Sequence, residues 1–297
     1  MMKIRLGTRG SRLALWQAHR VADLIRKASP GTGVELVIIK TTGDERSEFG
    51  EELPEEVGEF SSELEKQLAQ EVIDAAVHSA KDLPTQLPIN LCVAAYPERA
   101  DPRDALVRKR SDSERPSRGS VVATGSPRRD MFWRERWKET EIRGIRGNVD
   151  RRLEKLQDDS SLWGLVLACA GIDRLGGVPE MLVMERLDPS WMVPAPGQGA
   201  LAVECRAEDH KVRKVLEKID DPSVRACVEA EKGFLQKWGG GCSESLGALG
   251  TMNPMGMLHL RAAVKDRHGG VLRAQMEGPV SEPETVGARL AEEMRRG

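Results

Sequence analysis

The stretch Ala75-Ala76-Val77-His78-Ser79-Ala80-Lys81-Asp82-Leu83-Pro84 opens as a short apolar run and closes in polar residues before a proline, which reads as a buried strand with charge at its exit. In an open α/β sheet, ligands bind outside the carboxyl ends of the strands, so Lys81 and Asp82 are the first candidates for chemistry. A carboxylate in that place can stabilise cationic character developing on a ring N–H. Arginines stand on several other turns: Arg9 in Thr8-Arg9-Gly10-Ser11, Arg128 and Arg129 after Gly125-Ser126-Pro127, and Arg146 before Gly147-Asn148. Guanidinium forks bind carboxylates in bidentate fashion. One thiol, Cys242, follows the glycine run 239–241, whose backbone freedom permits a bulky group to approach the sulfur. Each feature alone has a plain structural reading: a solvated turn for the Lys-Asp pair, an ordinary strand-to-helix turn for Arg9, an inert packed thiol for the cysteine. Together they suit a ligand with many carboxylates tethered to the protein. The serine-hydrolase elbow, the HExxH zinc motif and the Walker phosphate loop are all absent.

The elements that must hold these residues follow a strand, turn, helix rhythm. Lys3 to Gly7 reads as a strand and Ser11 as the N-cap of a helix to about Lys27, with Leu13, Trp16, Val21, Leu24 and Ile25 on its apolar face. The turn between them, with Arg9 and Ser11 at a helix N-terminus, is an anion site in waiting. Val34 to Lys40 reads as a strand, residues 45–59 as an acidic mobile loop, and Ser61 to about Glu71 as a helix. The strand ending at Asp82 and another at Leu91 to Tyr96 lead to Pro97 through Asp104, a crossing into a second unit. There Val121 to Thr124 is a strand, and Arg128 and Arg129 fall in the first turn of a helix to about Trp137. Basic residues at a helix N-terminus oppose the macrodipole, a cost relieved when an anion sits beside them.

Glu141 to Gly144 reads as a strand, and the segment from Ile145 to Leu153 starts another helix carrying Arg152. From Arg128 to Lys155 there are ten basic and six acidic residues. Phe132, Trp133 and Trp137 are interleaved with that charge and raise a nucleic-acid reading, but they lie at helical spacing, which is a core pattern. Leu165 to Ala168 is a buried strand followed by a short helical turn bearing Arg174. Pro189 to Pro196 carries the chain back, and Gln198 to Arg206 reads as a strand able to rejoin the first sheet, which would make the first domain discontinuous. Gly197-Gln198-Gly199 resembles part of a dinucleotide fingerprint, but a strand follows where a helix is needed. A third unit begins after Asp220-Asp221-Pro222, with a helix from about Ser223 to Trp238, strands near Leu258 to Val264 and Gly270 to Gln275, and a helix from about Glu282 to Arg295.

Composition sets bounds on partners. At 297 residues, with 45 basic and 47 acidic side chains and a net charge of −2, the chain has room for two or three cores and carries no global field selecting nucleic acid or an anionic membrane. Its five cysteines lack metal-ligand spacing, which predicts a reducing compartment, no disulfide framework and no metal. No stretch of about 18 apolar residues occurs, and the expectation is a cytoplasmic protein bound to no membrane.

These ordered motifs, from Thr8-Arg9-Gly10-Ser11 with Leu13-Ala14-Leu15-Trp16-Gln17, through His78-Ser79-Ala80-Lys81-Asp82, Asp101-Pro102-Arg103-Asp104, Gly125-Ser126-Pro127-Arg128-Arg129 and Arg146-Gly147-Asn148-Val149, to Pro196-Gly197-Gln198-Gly199-Ala200 and Gly240-Gly241-Cys242, resemble the porphobilinogen deaminase (hydroxymethylbilane synthase) family over essentially the whole chain. The resemblance implies an α/β fold of three domains. The first two, 1–97 plus 198–217 and 98–197, would be periplasmic-binding-protein-like with a cleft between them. The third, 218–297, would be a small α/β domain with an antiparallel sheet. It implies a dipyrromethane cofactor joined to Cys242 by a thioether, on which four porphobilinogen molecules condense head to tail with loss of ammonia before hydrolysis releases a linear tetrapyrrole. Asp82 would be catalytic, stabilising the azafulvene-like cation formed as the ammonium leaves. Lys81, Asp82, Ser126, Arg128, Arg129, Arg146 and Gly147 would hold the cofactor, and Arg9, Ser11, Arg146, Arg152, Arg174 and Gln198 the substrate and growing chain. A monomer is implied, with no nucleic-acid partner. Two departures are local: Glu56-Val57-Gly58-Glu59-Phe60 and Ser62 stand where the family carries a lysine-rich lid segment, predicting weaker retention of polycarboxylate intermediates, and Ser243-Glu244-Ser245-Leu246 replaces a usual Val-Pro pair. The competing reading is a carboxylate-binding protein of the same fold with impaired catalysis.

Overall fold

The computed structural model describes residues 2–40, 62–239, 245–266 and 268–296. The acidic segment at 45–59 and Cys242 with its neighbours 240–244 lie outside the described residues. Three sheets organise the rest.

The first is laid down by β1 (Lys3–Thr8), α1 (Arg12–Ala28), β2 (Gly33–Ile38), α2 (Ser62–Ala69), β3 (Ala75–Ser79) and β4 (Leu91–Ala95). The second is laid down by β5 (Asp104–Lys109), β6 (Val121–Ala123), α3 (Pro127–Arg136), β7 (Glu141–Arg143), α4 (Val149–Asp158), β8 (Leu162–Ala168), α5 (Cys169–Arg174) and β9 (Leu182–Arg186). Then β10 (Leu201–Arg206) returns to the first sheet, followed by α6 (His210–Leu216), α7 (Pro222–Trp238), β11 (Leu246–Met252), β12 (Leu258–Lys265), β13 (Val271–Gly278) and α8 (Pro283–Arg296).

The two larger sheets share one plan. Their orders are β2-β1-β3-β10-β4 and β7-β6-β8-β5-β9. In each, one strand runs antiparallel to its neighbours, β10 between β3 and β4 and β5 between β8 and β9. Those two strands are the ones that lead out of the crossings between the lobes, so each crossing is anchored in the middle of a sheet. Strands flanked on both sides and covered by helices are buried on both faces. Accordingly Ile4, Leu6, Val21, Ile25, Leu201 and Val203 fill the first core and Val107, Leu156, Leu165, Leu167 and Ile172 the second.

The third sheet, β11-β12-β13, is antiparallel, and α7 and α8 cover one face of it. Its other face carries Leu249 and Ala263 onto Phe132 and Trp133 of α3 and Met192 and Val193 of the return crossing. The aromatics interleaved with basic residues therefore belong to a core: Phe132 and Trp133 are buried, and Trp133 Nε1 donates to Thr140 Oγ1 at 3.0 Å.

Helix starts follow from capping chemistry. Ser11 Oγ accepts from Ala14 N at 3.3 Å at the head of α1, and Asp221 accepts from Ser223 and Val224 N at the head of α7, where Pro222 supplies the first turn. β11 is a strand that glycine composition hides. A Cβ on Gly247 would lie 2.4 Å from Val193 O and one on Gly250 2.9 Å from Cys227 O, so close packing of backbone on backbone replaces the side chains a strand pattern expects. The segment at Asp104, read as the end of a crossing, is the first residue of β5.

Candidate active site

β3 ends at Ser79, and a single 3-10 turn, Ala80–Asp82, carries Lys81 and Asp82 off the sheet. Two adjoining clefts open at this point. The smaller, open to solvent and about 360 Å³ in extent, is lined by Arg9 from the β1–α1 turn together with His78, Ser79 and Asp82. The larger, likewise open and about 510 Å³ in extent, lies between the lobes and is lined by Lys81, by Arg129 at the start of α3, Arg152 on α4, Arg174 on α5 and Gln198 on the return crossing. Gln17 and Ser79 line both, and Gln17 Nε2 donates to Ser79 Oγ at 3.0 Å, so this pair forms the partition.

The larger cleft is strongly cationic, with Arg129 and Arg174 buried and Lys81 and Arg152 partly so. Lys81 is held below the ordinary ammonium value by burial; Asp82 opposes the shift, while Arg129 and Arg128 add to it. Burial likewise lowers Arg174 to about 10, with only Asp173 pulling the other way. Arg174 Nη2 donates to Gly199 O at 2.7 Å, its guanidinium lies 5.7 Å from the Trp16 ring centroid, and its Nε is buried without a hydrogen-bond partner. Clustered cations that are desolvated and incompletely hydrogen-bonded are what an anionic ligand would stabilise.

Beneath the cleft lies a buried anion. Asp104 Oδ2 accepts from Arg128 Nη1 at 2.6 Å and Asp104 Oδ1 from Arg129 Nε at 2.9 Å and Gln198 Nε2 at 3.0 Å. Burial alone would raise this carboxyl, but Arg128 and Arg129 outweigh burial and hold it at about 2. The anion expected beside the basic first turn of α3 is thus supplied internally. Arg128, whose Nη1 also donates to Val193 O at 2.7 Å, lines neither cleft. Arg129 does both jobs, bonded to Asp104 while lining the larger cleft. Gln198 is fully engaged, its amide donating to Pro102 O at 2.7 Å and its Oε1 facing both arginines.

The remaining predicted residues line neither cleft. Ser11 and Ser126 are the N-caps of α1 and α3, the latter accepting from Arg129 N at 3.5 Å. Gly147 takes φ +107°, which turns its carbonyl toward Arg152 Nε at 2.6 Å and so orients a cleft arginine. Arg146 is half-buried at the same turn, and its carbonyl accepts from Lys155.

Sequence reading passed over two residues that brace the site. Asp104 is one. Glu231, fully buried on α7, is the other: it accepts from Arg99 Nη1 at 2.7 Å and Nη2 at 3.1 Å, from Gly197 N at 2.6 Å and from Gly250 N at 2.7 Å. It ties both crossings and the third sheet to one carboxylate. The available signal was weak, since Glu231 shares the stretch from Ala226 to Phe234 with Glu229 and Lys232 and does not stand out as a buried acid.

Two like lobes with a cationic interlobe cleft, joined by paired crossings and buttressed by a small third unit, define a two-lobed α/β protein whose cleft is lined by cations. The sequence relationships are more specific. Residues 4–214 match the model described as porphobilinogen deaminase, dipyromethane cofactor binding domain, and residues 225–296 match porphobilinogen deaminase, C-terminal domain; the chain belongs to the porphobilinogen deaminase family. Porphobilinogen deaminase from Roseiflexus castenholzii is 39% identical over 303 residues, covering 98% of this chain and 95% of that one. Those of Acidothermus cellulolyticus and Mycobacterium leprae are 42% and 46% identical, covering 99% and 83% of this chain and 88% and 76% of theirs. Among solved structures, the methionine binding protein MetQ is similar at 14% identity, covering 75% of this chain and 92% of that one with a TM-score of 0.43.

Proposed function

We propose that this transferase extends a dipyrromethane primer, bound through Cys242, by stepwise head-to-tail addition of porphobilinogen with loss of ammonia, and then releases the linear tetrapyrrole by hydrolysis. The observation that carries the reading is the convergence of Lys81, Arg129, Arg152 and Arg174 on one interlobe cleft beside the Asp82 cleft. Each pyrrole brings two carboxylates, so a primer of two rings presents four. Four cations in one cleft, one of them with a buried orphan Nε, fit such a group.

When bound, the dipyrromethane supplies the pyrrole carbon on which the chain grows. The protein's own residues bind, orient and neutralise. Lys81, Arg129, Arg152 and Arg174 hold acetate and propionate groups in the larger cleft, and Arg9 holds those of the incoming pyrrole in the smaller. Asp82 accepts hydrogen bonds from pyrrole N–H groups and stabilises positive charge as the aminomethyl nitrogen departs. Arg128, Gln198 and Ser126 support Arg129, while Gly147 and Arg146 support Arg152. Ser11 keeps the Arg9 turn at the head of α1. The division into units 1–97 plus 198–217, 98–197 and 218–297 is supported by the three separate sheets. No helix among the described residues is long and apolar enough to cross a membrane. A monomer working in the cytoplasm, with no nucleic-acid partner, completes the reading.

The test is the intact mass of the purified protein beside its Cys242→Ala variant. The parent is expected to exceed its sequence mass by two deaminated porphobilinogen units, and the variant to match its sequence mass. An unmodified parent, after expression with ample porphobilinogen, would overturn the tethered-primer reading and favour the non-catalytic carboxylate binder.

A further inference from the structure

The wall of the Asp82 cleft contains an imidazole, backed by a buried acid, to which the reading above gives no task. In the β3–β10 ladder His78 stands opposite Ala202 and Glu204 opposite Ala76, so His78 and Glu204 are diagonal neighbours on one face of the sheet. His78 Nε2 lies 3.1 Å from Glu204 Oε2, with side-chain exposures of 6% and 0%. The contact is off the axis of a formed hydrogen bond, and neither carboxylate oxygen has another partner. Arg206, the next residue on the same face of β10, is turned away: its Nη1 donates to Leu68 O at 2.9 Å and Ile73 O at 2.8 Å, and its Nη2 to Asp209. Leu64, from α2, is apolar. Among the described residues, the charged groups facing the imidazole are therefore Glu204 behind it and Arg9 and Asp82 across the cleft, with Gln17 and Ser79 as neutral neighbours.

Two bare acceptors 3.1 Å apart would repel, so the ring carries its proton on Nε2, facing Glu204. That leaves Nδ1 as the ring nitrogen not turned to Glu204, on a residue that lines the cleft. With Nε2 turned to Glu204 and the residue lining the Asp82 cleft, the imidazole has one nitrogen for orientation and one for proton transfer.

We propose that His78, oriented by Glu204, carries the proton between the two reacting centres in each condensation; this rests on the proposed porphobilinogen chemistry. The C–N bond of the incoming aminomethyl group breaks with its electron pair going to nitrogen, and the ammonia formed stays in the cleft. The acceptor pyrrole's free α-carbon forms the new C–C bond to the exposed methylene. That carbon then sheds its proton, the C–H electron pair returning to the ring. His78 Nδ1 receives the proton and hands it to the departing ammonia, which leaves as ammonium. An ammonium substrate and a neutral acceptor thus give one new C–C bond and one ammonium ion, and the pair returns to its starting state.

The experiment uses cofactor-loaded protein, its loading checked by intact mass, with porphobilinogen as substrate. His78→Gln is expected to lower kcat by about 10²-fold, in the range of a positioned acid–base group, with KM changed by less than about threefold. His78→Ala should regain part of that loss on addition of free imidazole. Glu204→Gln should lower kcat while leaving KM in place, and Glu204→Asp should recover part of it. Independently of activity, imidazole ¹⁵N spectra should show His78 as the Nε2–H form in the parent and lose that preference in Glu204→Gln. A folded, loaded His78→Gln with parental kcat would overturn the carrier, as would a His78 protonated on Nδ1 in the neutral parent ring. Should the His78 variants fail to load, the parent spectrum and the Glu204 variants decide by the same criteria. A parent that makes no tetrapyrrole would overturn the function itself; an active parent with indifferent variants overturns only the proton carrier.

Discussion

Removing the charge of Asp104 while keeping its size, Asp104→Asn, isolates what the buried anion does beneath the cleft. In the parent its two oxygens take four hydrogen bonds, from Arg128 Nη1 and Nη2, Arg129 Nε and Gln198 Nε2, at 2.6–3.2 Å, and no part of the residue is exposed. The amide of the variant would point donors at guanidinium donors and leave two buried cations uncompensated. Two routes give the magnitude. The carboxyl falls from 3.8 to about 2 on folding, which at about 1.4 kcal/mol per unit is about 2.5 kcal/mol of stability. Breaking a buried ion pair by removing one partner costs about 3–5 kcal/mol. The expected loss at pH 7 is therefore about 3 kcal/mol, with the larger route favoured because the amide adds repulsion.

The pH dependence has a definite sign. The folded value is depressed, so the unfolded chain binds the proton first, and the stabilisation is complete above pH 3.8 and lost as pH falls through about 2. Guanidinium unfolding followed by tryptophan fluorescence reads this lobe through Trp133, which packs in the core next to the arginine pair. The parent and Asp104→Asn curves should be separated equally at pH 7 and pH 5, and the gap should narrow below about pH 4. A separation under about 1 kcal/mol at neutral pH, or one that persists unchanged to about pH 2.5, would refute the reasoning. The first result would mean that the arginines find other partners, the second that charge is not what the aspartate contributes.

Two further substitutions probe the braces around the cleft. Glu231→Gln removes the charge that holds Arg99 and weakens acceptance from Gly197 and Gly250, so a destabilisation of about 3 kcal/mol is expected, with faster hydrogen exchange at those two amides; unchanged exchange there would show that the crossings are held by other contacts. Gly199→Ala places a side chain at φ +85° with its Cβ 2.6 Å from Ala100 O, so the paired crossings must part and the Arg174 bond to Gly199 O must lengthen. A loss of about 2 kcal/mol or more and a raised KM for porphobilinogen are expected in steady-state assays, and a variant as stable as the parent would show that the crossings yield freely.

Much of this molecule is legible in its amino-acid order. Short-range chemistry was readable wherever a residue acts on its own neighbours. Ser11 caps the helix it precedes, and the apolar run before Lys81 is a strand with those charges at its exit. The aromatics at helical spacing in the arginine-rich segment are core, and the chain after Gly199 rejoins the first sheet. The motif series also gave the family, which the matched domain models support over both halves of the chain.

What the order alone did not determine is which partner each charge finds across space. Arg128 and Arg129 are adjacent and alike in sequence, yet one is consumed by Asp104 and Val193 O and the other also lines the cleft, because helix geometry points neighbouring side chains about 100° apart. Nothing in the order marks Asp104 and Glu231 as buried, yet folding removes both from water, where a charge must be matched or it destabilises the fold. β11 escaped pattern reading for a related reason: Gly247 and Gly250 are dictated by the backbones of Val193 and Cys227, distant in the chain and within contact distance only once the third sheet has docked. Periodicity and capping are local and survive in one dimension, whereas desolvation, charge matching and close packing belong to neighbours that only the tertiary fold supplies.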